Sequence, residues 1–135
     1  MSWWHPDQFE KRKANLQIRQ KALKSARIFF ENEGFQEVET PALQIMPTAD
    51  PHIHTFETQL LNYDLKPLEK LGLHTSPELD MKKLLTAGTG DIYQICKVYR
   101  NGEGSSQHHP EFTMLEWYRV NTDYHKIMKD CIDLT

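Results

Sequence analysis

Residues 98–119 carry the side chains best suited to chemistry. The stretch has an arginine at the end of one predicted strand, a polar loop with histidines and a returning strand. A period of two residues places four side chains on one face of the returning strand: Phe112, Met114, Glu116 and Tyr118. A carboxylate between a methionine and a tyrosine is costly to bury unless a cation meets it. The partner of Glu116 is therefore an internal Arg or Lys or a cationic ligand, unless the segment is a helix with Phe112 and Glu116 one turn apart.

Three other residues have two interpretations each. The planar guanidinium of Arg100 suits bidentate binding of a carboxylate or phosphate, yet it could be simply an arginine at a strand end. Phe112 offers a ring face for a flat base, although a core phenylalanine is commoner. Glu78 stands in the first turn of a predicted helix, where the helix dipole favours a carboxylate even without a ligand. The pattern alone leaves these alternatives open.

An antiparallel hairpin and a short helix should position these residues. The alternation of residues 91–100 and 109–120 predicts the two strands of the hairpin, with Arg100 at the end of the first. The Gly- and Ser-rich residues 101–107 form the loop between them. Ser76-Pro77 predicts the start of a helix, with serine as cap and proline at the first helical position.

The chain begins with a long predicted helix. Asp7 and Glu10 have capping-box spacing, and Gly34 ends the helical pattern. Its length of about 26 residues exceeds the average of about 11 to 12, and we expect its apolar stripe, with the next strand, to form a homodimer. The remaining predictions are strands at 35–40, 53–59 and 71–75, a loop at 42–54, an ambiguous stretch at 61–70, and helices at 78–87 and 123–134.

Composition limits the class of protein. With 135 residues we expect one domain, and 39% apolar and 26% charged residues are typical of a globular protein. The net charge of -3 lacks the basic excess that drives non-specific phosphate binding. Cys96 and Cys131 have no metal or disulfide spacing. No run is long enough to span a membrane, so we expect a cytoplasmic protein.

Three segments resemble motifs of class II aminoacyl-tRNA synthetases in their lysyl form. Arg100 with the segment His108-x-Pro110-Glu111-Phe112-Thr113-Met114-x-Glu116 resembles motif 2. Residues 30–43, with Gly34-Phe35-x-Glu37-Val38-x-Thr40-Pro41, resemble motif 1. Thr75-Ser76-Pro77-Glu78-Leu79 with Lys82-Lys83-Leu84-Leu85 resembles the segment between them. The resemblance covers nearly the whole chain.

The resemblance implies a fold, a reaction and a set of roles. The fold is α+β, an antiparallel sheet flanked by helices, of which residues 1–135 are the N-terminal portion. ATP with Mg²⁺ activates a lysine-type amino acid as an aminoacyl-adenylate. Arg100 holds the α-phosphate and the carboxylate, Phe112 stacks on adenine, and His108 lies near the phosphates. Glu78 and Glu116 face the amino groups of the substrate, with the help of Tyr118.

Within this family the chain looks most like the elongation factor P lysine ligases. Glu116-Trp117-Tyr118-Arg119 and Trp3-Trp4 resemble that branch, and because the sequence starts close to motif 1 we expect no anticodon-binding OB domain. The implied acceptor is a lysine of elongation factor P. The alternatives are a lysyl-tRNA synthetase core that charges tRNA and a non-catalytic dimerisation module. The sequence does not choose between α-lysine and β-lysine.

Two features depart from the family pattern. Gly102 stands where a glutamate usually reads the adenine amino group, and Glu103, one residue later, is expected to take over that ATP-binding role. Nothing resembling motif 3 precedes the last residue, Thr135. We therefore expect a fragment or truncated relative that is inactive by itself.

Overall fold

The computed structural model describes residues 4–135, so Trp3 of the Trp3-Trp4 pair lies outside the described residues. The elements are α1 (Pro6–Asn32), β1 (Gln36–Glu37), β2 (Leu43–Gln44), β3 (Phe56–Leu61), β4 (Pro67–Leu73), α2 (Glu78–Thr86), β5 (Ile92–Tyr99), β6 (Glu111–Tyr118) and α3 (Tyr124–Leu134). The predicted α+β fold is confirmed. Within the described residues, no helix is long and apolar enough to cross a membrane.

The chain divides into two compact units. Among the described residues, one unit contains residues 4–35 together with Thr122–Thr135, and the other is Gln36–Asn121. The first unit holds α1 and α3, while the second holds both sheets and α2.

The long first helix is confirmed, but its predicted start is wrong. The cap is His5, which makes no side-chain hydrogen bond, and Pro6 is the first helical residue. Asp7 lies in the first turn, because proline needs no amide partner at that position and fixes the helix start ahead of it. Only Phe30 is buried among the residues of this helix.

The end of α1 is a Schellman motif. Gly34 has φ 80°, its N–H bonds the Glu31 carbonyl at 3.1 Å, and the Phe35 N–H bonds the Phe30 carbonyl at 2.9 Å. The rings of Phe30 and Phe35 pack edge to face with centroids 5.0 Å apart. Gly34 therefore ends the helix as the sequence predicts.

The last helix also forms as predicted. Asp123 caps α3 by accepting a hydrogen bond from the His125 N–H at 3.0 Å. Lys126 pairs with Glu33 at 2.9 Å and with the fully buried Asp130 at 3.3 Å.

In the second unit the predicted hairpin is confirmed. β5 and β6 pair antiparallel from Ile92↔Tyr118 to Tyr99↔Glu111. On the other side of β5, β1 pairs in parallel, with Gln36↔Ile92 and Glu37↔Tyr93. Ile92, Tyr93 and Val98 of β5 are fully buried, so this strand forms the centre of the core.

The second sheet has the strand order β2-β4-β3 and is antiparallel. The ambiguous residues 61–70 prove to be the end of β3, a hairpin turn and the first part of β4. The turn is built on Asn62, whose side-chain oxygen accepts from the N–H groups of Asp64 at 3.0 Å and Lys66 at 2.9 Å. The strand predicted at 71–75 therefore starts earlier, at Pro67, and ends at Leu73.

The helix predicted at 78–87 forms at Glu78–Thr86, but the predicted cap at Ser76 is wrong. Its cap is Pro77, and the Ser76 hydroxyl lies 3.4 Å from the Glu78 N–H. The side chain of Gln44 anchors this end by donating to the Asp80 carboxylate at 2.9 Å. It also donates to the Pro41 carbonyl at 3.0 Å, which ties α2 to the segment after β1.

Candidate functional site

A cavity of about 420 Å³ lies within the second unit. Its walls come from the loop before β3, the segment leading into α2, the residue after β5, and one face of β6. The lining residues are Pro47, Thr48, Ala49, Asp50, Ile53, Thr75, Ser76, Glu78, Leu79, Arg100, Met114 and Glu116. Three residues predicted from the sequence, Glu78, Arg100 and Glu116, therefore share one cavity.

The alternation of β6 explains why Glu116 reaches the cavity. Met114 and Glu116 both line it, as a period of two residues in a strand requires. The alternative interpretation of this segment as a helix is wrong. Across the hairpin, Glu116 is paired with Gln94 and Met114 with Cys96.

Glu116 is half-buried and has one direct partner, the hydroxyl of Tyr118, which donates to its Oε1 at 2.5 Å. Burial raises the pKa of Glu116, and the negative charge of Glu78 adds to that effect. The Tyr118 hydrogen bond, Lys82 and His74 act in the opposite direction. Within residues 4–135, no lysine or arginine forms an ion pair with Glu116, so the internal salt bridge considered above does not form there.

Tyr118 stays a hydrogen-bond donor at neutral pH. Burial raises the pKa of its hydroxyl far above the ordinary value, and the bond to Glu116 raises it further. Because the hydroxyl keeps its proton, the carboxylate keeps one fixed donor.

Glu78 is exposed and lies in the first turn of α2. Its Oε1 accepts from the Lys82 ammonium at 2.5 Å, one helical turn later. The helix dipole and Lys82 both stabilise the carboxylate, and the residue also lines the cavity. Both interpretations of Glu78, as a residue of the helix start and as a site carboxylate, are compatible with this position.

Arg100 follows β5 directly, and both its backbone and its side chain make hydrogen bonds that fix its position. Its N–H bonds the Pro110 carbonyl at 2.9 Å, and its Nε lies 3.3 Å from the Thr75 carbonyl. The guanidinium carbon stands 5.3 Å from the centroid of the Phe112 ring. The terminal nitrogens of Arg100 make no hydrogen bond to another described residue, so they are available for an anion.

Glu103 and His108 do not line the cavity. Both belong to the connection between β5 and β6, where Glu103 is partly buried and His108 exposed. His108 is held in a local turn, with its Nδ1 3.0 Å from the Ser105 hydroxyl. The structure therefore separates these two predicted ATP-binding residues from the cavity that holds Arg100.

The sequence predicts a loop before β3 but does not indicate that this loop forms one wall of the cavity. The Pro47 carbonyl accepts from the Thr75 N–H at 3.1 Å, which holds the loop beside the start of α2. Asp50 stabilises the loop by accepting from the His52 N–H at 2.8 Å. The available signal was that long connections often carry function.

The cavity is acidic and can bind a cation. Three carboxylates line it, from Asp50, Glu78 and Glu116, against the single cation of Arg100. The carboxylates can therefore accept ammonium groups, while Arg100 can hold a carboxylate or phosphate. Among the described residues, no group of three or more His, Cys, Asp or Glu side chains could hold a metal ion.

A comparison with known protein families identifies the family of this chain. The family model for class II tRNA synthetases (D, K and N) matches residues 6–134. The chain belongs to this family. The resemblance carried by Arg100, the 108–116 segment and the motif 1 segment is thereby confirmed.

This chain is similar over 120 residues to relatives named elongation factor P (R)-beta-lysine ligase. The Vibrio vulnificus (strain YJ016) protein is 48% identical, covering 87% of this chain and 37% of the relative. The Histophilus somni (strain 2336) protein is 46% identical, covering 89% and 37%. The Pasteurella multocida (strain Pm70) protein is 44% identical, also covering 89% and 37%. The chain thus spans little more than a third of the length of these curated relatives.

Proposed function

We propose that the complete protein activates a lysine-type amino acid with ATP and transfers it to a lysine side chain of elongation factor P. In the first step a carboxylate oxygen of the amino acid attacks the α-phosphorus of ATP, and pyrophosphate leaves. In the second step the amine of the acceptor lysine attacks the acyl carbon, and AMP leaves. The names and identities of the relatives support this reaction.

The observation that carries the proposal is the half-buried carboxylate of Glu116 in the cavity, which has no cationic partner within residues 4–135. A free lysine-type substrate has two ammonium groups. One of them at Glu116 would supply the missing charge and offset the cost of burying the carboxylate. Glu78, in the same cavity, would face the other amino group.

Arg100 is suited to the opposite end of the substrate. Its guanidinium would hold the amino acid carboxylate and the α-phosphate together, which is mainly a positioning and electrostatic contribution. Adenine would stack on the face of Phe112 that Arg100 does not cover. We retain Glu103 and His108 as ATP-binding residues, which requires the loop between β5 and β6 to move towards the nucleotide.

Magnesium would accompany ATP and neutralise its phosphates. Residues 4–135 offer no cluster of three metal-ligating side chains, so no ligand for Mg²⁺ is assigned to them. The homodimer and a cytoplasmic location belong to the same proposal. The exposed apolar side chains of α1 support the first, and the elongation factor in the relatives' names supports the second.

The proposal is tested by ATP–pyrophosphate exchange with the complete protein, followed by transfer to purified elongation factor P. We expect exchange with α-lysine or β-lysine and none with norleucine, which has no side-chain ammonium. Modified elongation factor P should gain the mass of one lysine residue. Exchange with lysine followed by charging of tRNA but not of the factor would favour the tRNA synthetase alternative. The net charge of -3 does not favour that outcome.

A further inference from the structure

A buried amide lies directly across the hairpin from Glu116. Gln94 on β5 is the register partner of Glu116 on β6, so the two side chains share one face of the sheet. Such opposed residues have Cβ atoms about 4.5 to 5.5 Å apart. Gln94 is 1% exposed and is not among the residues that line the cavity, so it would not contact a ligand bound there.

One end of this amide is fixed and the other has no partner. The Thr40 hydroxyl, 8% exposed, donates to the Gln94 Oε1 at 3.1 Å. The Gln94 Nε2 has no hydrogen-bond partner among the described residues, although buried amide groups are normally paired. An oxygen directed at the Glu116 carboxylate would be repelled, whereas an N–H is attracted, and this favours the orientation in which Thr40 bonds the oxygen.

Cys96, two residues along the same face, does not meet the requirement of the amide. Burial raises the pKa of its thiol, and the side chain of Gln94 acts in the other direction. A thiol is a poor acceptor, and no hydrogen bond of normal geometry joins it to the Gln94 Nε2. The nearest charged acceptor across the strands is Glu116.

Glu116 has room for a second donor. Tyr118 donates to Oε1, and no hydrogen bond reaches Oε2 from any described residue. A carboxylate that holds an ammonium must stay ionised in a half-buried position, and each donor favours the ionised form. Tyr118 supplies one such donor, and a second donor would favour the ionised form further.

We propose that Gln94 is a positioning residue for Glu116: when a cationic ligand is bound, the Gln94 Nε2 donates to the second oxygen of the carboxylate. Thr40 orients the amide for this role. The inference rests on the proposed function, because it assumes that Glu116 receives an ammonium. Gln94 on β5 and Thr40 after β1 would thus assist substrate recognition without contacting the substrate.

Several charged or titratable groups face Glu116 or share its cavity and are common to all variants compared below. They come from α2, the residue after β4, β5, β6 and the cavity wall: Glu78, Lys82, His74, Cys96, Tyr118, Arg100 and Asp50. Because none of them changes, a shift in the pH dependence between variants reports the donor at Gln94.

The test is calorimetric titration of the complete protein with lysine, β-lysine and ATP between pH 5 and 8. Gln94→Met keeps the size of the side chain and removes the donor. We expect the affinity for lysine and β-lysine to fall about tenfold, with ATP affinity within about twofold of wild type. The acid limb, which is the low-pH range where the affinity for the amino acid declines, should move to higher pH. Thr40→Val should shift both in the same direction by less, and Thr40→Ser should restore them. Gln59→Met on β3, whose side chain bonds only local carbonyls, is the matched control.

The possible failures are separable. If Glu116→Gln weakens lysine binding while Gln94→Met leaves both affinity and acid limb unchanged, the Gln94 role is wrong and the proposed function stands. A purely structural Gln94 would lower the melting temperature without moving the acid limb, which also overturns the role. If wild type binds ATP but neither amino acid at any pH, both the proposed function and the role of Gln94 are wrong. Should Gln94→Met not fold, an unshifted acid limb in Thr40→Val overturns the role.

Discussion

The hydroxyl of Tyr118 donates to the Oε1 of Glu116 at 2.5 Å, between side chains two residues apart on the same face of β6. Burial raises the pKa of both groups, and the hydrogen bond from the Tyr118 hydroxyl favours the ionised form of Glu116. The pair gives Glu116 a fixed direction towards the cavity before any ligand arrives.

Tyr118→Phe should therefore weaken binding of a lysine-type amino acid by about fivefold to tenfold, the effect of losing one hydrogen bond to a charged group. Its loss raises the pKa of Glu116 further, so the affinity should fall off at a higher pH than in wild type. Calorimetric titration across pH checks both effects. Tyr63→Phe, at a fully exposed tyrosine, should change neither. Equal affinity for Tyr118→Phe and wild type at every pH would remove the tyrosine from the site.

Glu116→Gln should raise the melting temperature at neutral pH in the absence of ligand, by about 1 to 3 °C. The pKa of Glu116 is raised above its ordinary value of 4.5, so the folded state binds the proton more tightly than the unfolded state. Ionisation of Glu116 therefore lowers the free energy of unfolding as pH rises from 4.5 through the folded-state pKa. The difference between variant and wild type should grow over that window and then level off. Thermal melts between pH 4 and 8 test this, and a lower melting temperature for the variant at pH 7 contradicts it.

Gly72→Ala should destabilise the protein by about 1 to 3 kcal/mol. A Cβ at Gly72 would lie 2.6 Å from the Cγ of Pro47, whose carbonyl is fixed by Thr75. The ring must move, and the loop that walls the cavity must move with it, so lysine affinity should also fall. Gly104→Ala is the matched control, since nothing lies within 4 Å of its Cβ position. Denaturant unfolding of both variants measures the difference, and equal stabilities would show that Pro47 yields without cost.

The complete protein should have about twice the mass of one chain at micromolar concentration by light scattering or sedimentation. On α1 the side chains of Leu16, Ile18 and Ile28 are about half exposed or more. Ile18→Asp should shift the mass towards the monomer if the face of α1 that carries Ile18 forms the interface. Leu68→Asp, at an exposed leucine of β4, should leave it unchanged. A monomer in wild type at these concentrations would contradict the dimer.

Local patterns were enough to predict the hairpin and the direction of Glu116. Alternation along β6 is a property of neighbouring residues, and Gly34 ends α1 because the position after the cap needs φ near 80°, which glycine adopts without strain. The grouping of Glu78, Arg100 and Glu116 could be expected from the family motifs, and the structure puts all three at one cavity.

The missed features depend on contacts between distant parts of the chain. Thr40 and Gln94 are 54 residues apart, and neither residue type indicates the other in the sequence. The same holds for Gly72 and Pro47, whose close approach appears only when β4 and the loop are folded together. The cap of α1 was displaced from Asp7 to His5 because Pro6 fixes the first turn, and the cap of α2 lies at Pro77 rather than Ser76.

The central claim is that Glu116 receives the ammonium of a lysine-type substrate, and calorimetric titration of wild type and Glu116→Gln with amino acid and with ATP tests it most directly. In the complete protein, the variant should bind α-lysine or β-lysine at least tenfold more weakly and ATP nearly as well, because one charge-assisted hydrogen bond of about 1.5 to 3 kcal/mol is lost. Glu69→Gln, at an exposed glutamate of β4, is the control and should match wild type. Unchanged amino acid affinity in Glu116→Gln, with a lowered melting temperature, would contradict the claim and make Glu116 a structural residue.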